Sequence, residues 1–214
     1  MREVRDALIL NALLAAGGWA AFQYLHVPKL GLAVLALVVA FNVLLPLFAR
    51  NSGHGHWFNL WTFLLPLSVF QVVPDWVLSQ QIGILSFPDL GAPRIGGHVP
   101  VYMAGMWVIP LFWVLLLARG STLAAGVLAL LVFAGSEWAA PIFNIWRPQN
   151  VSMHYGVADY VLLPEALLGW AAAHAYRQVS HGGFAAKIAA AAAVSVFYTG
   201  ALVVSYFLMQ RAVF

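Results

Sequence analysis

Seven stretches of about 20 residues, each apolar along its whole length, alternate with short segments rich in Gly, Pro, Asn, Gln and charged residues. They run approximately from Ala7 to Leu25, Leu30 to Ala49, Phe58 to Leu78, Val99 to Ala118, Leu123 to Pro141, Tyr155 to Tyr176 and Ile188 to Met209. Each is long enough to cross a hydrocarbon core of roughly 30 Å as a helix, and none shows the alternation of a barrel strand. Helices satisfy their own backbone donors and acceptors, as lipid demands. The pattern predicts an all-α fold: an integral membrane bundle of seven transmembrane helices, forming one domain over residues 1–214.

Composition agrees with the pattern. With 63% hydrophobic and 8% charged residues and a mean hydropathy of +0.88, too little polar surface exists to coat a soluble globule. The chain has no cysteine, which removes disulfide and thiolate chemistry. Arg2 and Arg5 precede the first apolar run, but Phe22-Gln23-Tyr24-Leu25-His26 is no small-residue cleavage site, so that run is expected to stay as a helix. The net charge of +3 comes from ten basic residues strung through the connections, a distribution that suits membrane topology and not nucleic acid. Arg2, Arg5, Arg50, Arg119, Arg177 and Lys187 fall on one side, and Lys29, Arg94, Arg147 and Arg211 on the other. This bias predicts a cytoplasmic N-terminus and an outer C-terminus, in what reads as a bacterial inner membrane. The two long connections, about Ser79 to His98 and about Ile142 to His154, both lie on the outer side. Such segments are expected in the headgroup region or folded over the bundle as a lid.

Charged residues inside the apolar runs carry the candidate chemistry. Five of the seven acids, Asp75, Asp89, Glu137, Asp159 and Glu165, lie in or beside them. A carboxylate at depth costs several kcal/mol unless it is protonated, paired or facing a cavity. At a rise of 1.5 Å per residue from Tyr155, Asp159 lies about 6 Å deep and Glu165 about 15 Å deep. The two are about 240° apart around the helix, which gives them separate roles unless Pro164 bends it. Asp75 and Glu137, at helix ends, are expected at the rim, and Asp89 reads as a turn residue.

A faint repeat links these acids. Pro74-Asp75-Trp76 ends the third run and Gly97-His98-Val99-Pro100-Val101-Tyr102 opens the fourth; Ser136-Glu137-Trp138 ends the fifth and His154-Tyr155-Gly156-Val157-Ala158-Asp159 opens the sixth. If helices 3-4 and 5-6 are copies, they enclose one cavity and bring His98 and His154 to the acid face as proton shuttles or ligands. Trp61, Tyr102, Trp107, Tyr155 and Tyr160 are the aromatic candidates for binding a substrate or a cationic intermediate, with Trp170 a further one. Trp57, Trp76, Trp138 and Trp146 read as interface anchors. His54-Gly55-His56 lies on the opposite side and is not expected to hold a metal; no HxxxH array and no Gly-rich phosphate loop is present, so no metal or cofactor is predicted.

The stretch from Phe87 to Phe112, FPDLGAPRIGGHVPVYMAGMWVIPLF, resembles the loop-to-helix element of integral-membrane carotenoid-modifying proteins, the lycopene cyclase domain and carotenoid hydratase-like families. There a Gly-Val-Pro element opens a helix ending in an aromatic-Pro-Leu-Phe pattern. Tyr155-Gly156-Val157, with Trp170 downstream, is similar to the second copy. The likeness spans about 90 residues, Asp75 to Trp170. Where the lycopene cyclase pattern carries two acids after the Pro, this chain has Val101-Tyr102, which argues against β-cyclisation. The small seven-helix terpene cyclases are similar in size and acid placement, without a shared residue motif.

Burial among apolar groups keeps a carboxylic acid neutral and able to protonate an alkene or epoxide. The residues therefore predict a membrane-embedded enzyme acting on an apolar isoprenoid, terpenoid or lipid by proton-initiated cyclisation, hydration or isomerisation. Glu165, Asp159, Asp75 and Glu137 are the expected catalytic groups. Its expected partners are that apolar substrate and the membrane lipids. A proton-coupled transporter, or a structural subunit of a membrane complex, is the alternative.

Overall fold

The computed structural model describes residues 2–212, with side chains through residue 209, so the side chain of Arg211 lies outside the described residues. The described residues form seven helical rods. The first two are α1 (Arg2–Tyr24) and α2 (Lys29–Asn51). The third, Gly55–Ile82, is α3 (Gly55–Phe70), α4 (Val72–Trp76) and a π-helical turn at Val77–Ile82. The fourth is α5 (Met103–Met106) continued by α6 (Val108–Ala118), and α7 (Thr122–Ala139), α8 (Asp159–Val179) and α9 (Phe184–Ala212) complete the bundle.

Five rods are long and apolar enough to cross a membrane: α1, α2, the third rod, α7 and α9. The fourth rod, Met103–Ala118, is shorter than the sequence pattern suggests. Its expected first turn, Val99 to Tyr102, is spent partly on a strand. The sixth likewise starts at Asp159 and not at Tyr155, because Tyr155 and Gly156 form a tight turn with φ of 52° and 84°. Apolar runs alone do not separate a short hairpin from the helix it feeds.

Those hairpins organise the loop-rich end. β1 (Leu85–Ser86) pairs with β4 (Arg147–Pro148) and ties the two long connections together. β2 (Arg94–Ile95) pairs with β3 (Val99–Pro100), and β5 (Met153–His154) with β6 (Val157–Ala158), all antiparallel. Val101 N donates to Pro93 O at 2.9 Å beyond the first hairpin, and Asp159 N to Ser152 O at 3.1 Å beyond the second. The two units therefore match with Val99 on Val157, Pro100 on Ala158 and Tyr102 on Tyr160. Each turn glycine sits over the Trp that follows the acid. A Cβ on Gly96 (φ 58°) would lie 3.0 Å from Trp76 Nε1, and one on Gly156 (φ 84°) 3.5 Å from Trp138 Cδ1. This register corrects the expected pairing of the histidines: His154 corresponds to Ile95, while His98 lies in the longer turn of the first hairpin.

Two packing devices fix the helices around the acids. Small residues let α7 and α8 approach closely: a Cβ on Gly169 would stand 2.3 Å from Ala129 Cβ and 2.5 Å from Ala125 O. Prolines supply the second. Pro74 and Pro164 cannot donate to the carbonyls four residues back, Phe70 and Tyr160. Ser195 Oγ donates to Phe70 O at 2.9 Å, and Ser205 Oγ to Tyr160 O at 2.7 Å. Both serines belong to α9, which is thereby clamped between the third rod and α8.

Candidate functional site: an acid-lined cavity

The prolines that release those carbonyls stand directly before Asp75 and Glu165, so the clamp also sets where the acids point. Asp75, Glu137 and Glu165 all line one cavity of about 290 Å³, near the lower end of the ligand-pocket range of roughly 300–1,000 Å³. Asp75 comes from α4, Glu137 from α7 and Glu165 from α8, with Trp107, Tyr160 and Tyr198 among the aromatic walls. Among the described residues, no Lys, Arg or His lines it.

Each carboxyl group has a different environment. Glu165 is 2% exposed and its Oε2 has no hydrogen-bond partner. Asp75 is 5% exposed and its Oδ2 accepts from Trp107 Nε1 at 3.4 Å. Glu137 is half-buried and its Oε1 accepts from Trp146 Nε1 at 2.9 Å. An unpaired buried anion costs several kcal/mol. With no base among the described lining residues, three such groups are accommodated by holding protons or by facing a cation. Glu165, without even a hydrogen bond, feels this most.

The long connections do fold over this end. Phe87 of the first and Phe143, Ile145 and Trp146 of the second line the cavity, held together by β1 and β4. Trp146, expected as an interface anchor, instead reaches in to Glu137. Half-exposed lining residues, Met106, Ile109 and Pro110 on one side and Ser136 and Ala139 on the other, mark an apolar edge between the fourth rod and α7.

Other sequence candidates lie elsewhere. Asp159 is outside the cavity lining: its Oδ2 accepts from Ser152 Oγ at 2.6 Å and its Oδ1 pairs with His154 Nδ1 at 2.6 Å. Its position at the first residue of α8, about 240° from Glu165, accounts for this. His98 is half-buried in its hairpin turn and does not line the cavity; its carbonyl accepts from Arg94 Nη1 at 2.7 Å. Tyr155 is 97% exposed at the hairpin tip. Tyr102 is buried, with its hydroxyl unpartnered, in a separate cluster against α2. Trp61 donates to Asn42 Oδ1 at 3.3 Å, away from the cavity, and Trp170 stacks on His174 at the surface. Among the described residues no three His, Asp or Glu side chains gather as a metal-ligand set. His54 pairs with Asp6 and His56 with Glu3 at the opposite end.

Fold and cavity define a helical bundle, rich in membrane-compatible helices, with three carboxyl groups in an aromatic-lined interior. The chain belongs to the DUF6989 family, a domain of unknown function, which it matches over residues 72–209. That span takes in both hairpin units, all three cavity acids and Tyr198. No curated protein and no solved structure matches the chain.

Proposed function

We propose that the protein is a membrane-embedded enzyme that protonates an apolar isoprenoid or related lipid in this cavity and so drives its cyclisation, hydration or isomerisation. The single observation behind the reading is the convergence of Asp75, Glu137 and Glu165 in an apolar, aromatic pocket with no basic residue among its described lining. In the proposed step the O–H bond of the Glu165 carboxyl breaks and its proton adds to an alkene carbon, whose π electrons form the new C–H bond. The neighbouring carbon becomes cationic. Trp107, Tyr160 and Tyr198 offer aromatic faces to that charge, the carboxyl oxygens of Asp75 and Glu137 stabilise it, and the Glu165 carboxylate left by the transfer takes back the departing proton. Proton uptake and release balance, so isomerisation and cyclisation need no oxidant. An apolar substrate enters from the bilayer, along the edge formed by Met106, Ile109 and Ala139. In this reading all seven rods cross the membrane with the N-terminus cytoplasmic, and the resemblance of Phe87–Phe112 to carotenoid-modifying families points to the same substrate class.

The test is to express the wild type, Glu165→Gln and Asp159→Asn in an isoprenoid-producing host, confirm membrane folding, and profile extracted lipids. A wild-type product that disappears in Glu165→Gln and persists in Asp159→Asn supports the reading. Identical profiles for wild type and Glu165→Gln overturn it.

One observation favours a second reading, a proton-coupled carrier. Ser68, Gln71 and Asp75 occupy one buried face of the third rod at i, i+3 and i+7, and Ser68 Oγ and both polar atoms of the Gln71 amide have no partner. Such a file leads from the cavity into the bundle. Proton uptake into vesicles that vanishes with Asp75→Asn would favour this carrier over the enzyme.

A further inference from the structure

A second cavity, of about 410 Å³, opens at the opposite end of α8, 18 residues and so about 27 Å from Asp159. Its polar wall is made by Arg119, Arg177 and Tyr176, with Leu60, Leu115 and Leu116 as an apolar side. Both arginines are exposed, and neither has a carboxylate partner among the described residues. Arg119 sits at φ 48° immediately after α6, so the chain turns sharply there and the side chain leaves the helix at its end. The acid in this wall, Glu3, is already engaged by His56 and by Trp57 Nε1, the latter at 2.7 Å. Behind the wall lies a buried lysine. Lys187 is 6% exposed, has no carboxylate partner among the described residues, and donates to Thr62 Oγ1 at 2.9 Å and to Asn59 Oδ1. Asn59 Nδ2 in turn donates to the Tyr176 hydroxyl at 3.2 Å, so that hydroxyl accepts there and keeps its own proton to donate.

Two positive charges thus line a pocket whose one acid is taken, both of them planar guanidinium forks suited to bidentate contact with phosphate oxygens. The apolar side would suit a chain attached to such an anion. We propose that this pocket binds a phosphate group, presented by an anionic lipid headgroup or by a soluble phosphate compound, through Arg119, Arg177 and Tyr176. This site is independent of the acid cavity and of the activity proposed for it.

Purified protein in zwitterionic detergent is titrated calorimetrically with dioctanoyl phosphatidic acid and, separately, with inorganic phosphate. Saturable binding of the lipid at least tenfold tighter than of phosphate identifies a headgroup; equal affinity identifies a soluble phosphate ligand. Both support the site. The variant carrying Arg119→Gln and Arg177→Gln should bind at least tenfold more weakly, whereas Arg50→Gln, a charge change outside the pocket, should bind as wild type does. Should the double variant not fold, each single substitution is expected to weaken binding several-fold, and dioctanoyl phosphatidylcholine should fail to displace bound phosphatidic acid. No saturable binding of either probe, wild-type affinity in the folded arginine variants, or displacement by phosphatidylcholine overturns the proposal.

Discussion

The hydroxyl of Ser205 donates at 2.7 Å to the carbonyl of Tyr160, the group that Pro164 releases by lacking an N–H. A residue on α9 therefore completes the hydrogen bonding of α8 one turn before Glu165. Removing the hydroxyl leaves a buried carbonyl unpaired, at a cost of about 1–3 kcal/mol. Pro164→Ala restores an N–H to the helix and makes the serine redundant. Unfolding of Ser205→Ala, Pro164→Ala and the double variant in detergent is expected to show strong non-additivity, with Ser205→Ala costing little in the Pro164→Ala background. Additive effects would mean that the serine acts elsewhere.

The contact of Gly169 with Ala129 and Ala125 admits no side chain, since an added Cβ would stand 2.3 Å from one and 2.5 Å from the other's carbonyl oxygen. Gly169→Ala is expected to destabilise by about 1–3 kcal/mol through overpacking, and Gly169→Leu to separate α7 from α8. Thermal unfolding reads the first. For the second, loss of product formation with retained helix content by circular dichroism is expected, because Glu137 and Glu165 would no longer share a cavity.

Trp107 both donates to Asp75 and stands in the cavity wall. Trp107→Phe keeps an aromatic face and loses the hydrogen bond; Trp107→Leu loses both. With a cation–π contribution of about 0.5–2 kcal/mol, the leucine variant should turn over roughly two- to thirty-fold more slowly than the phenylalanine variant. Equal rates for the two would remove the aromatic role.

Counting residues placed Glu165 near mid-depth and Asp159 on another face, because helix rise and twist are fixed by the backbone. The cavity lining of Glu165 and the Ser152 and His154 contacts of Asp159 follow that geometry. Two of the cavity acids carried a local signal, a proline directly before them, whose meaning depends on which helix supplies the missing donor. Tyr198 carried none: it sits in a run apolar on every side, and only packing selects the face that turns inward. From sequence Trp146 reads as an anchor, because its approach to Glu137 requires the long connection to fold back, which the β1 and β4 pairing brings about. The misaligned histidines arose from turn lengths of three and two residues, a difference that shifts register without changing composition.

Incubation of the purified protein with linear isoprenoid alkenes or epoxides in deuterated water tests most directly whether Glu165 delivers a proton to an apolar substrate. The product from the wild type should carry one non-exchangeable carbon-bound deuterium from initiation, and Glu165→Gln, folded and of unchanged stability, should form at least a hundredfold less of it. Deuterated product formed by Glu165→Gln at the wild-type rate would contradict the central claim.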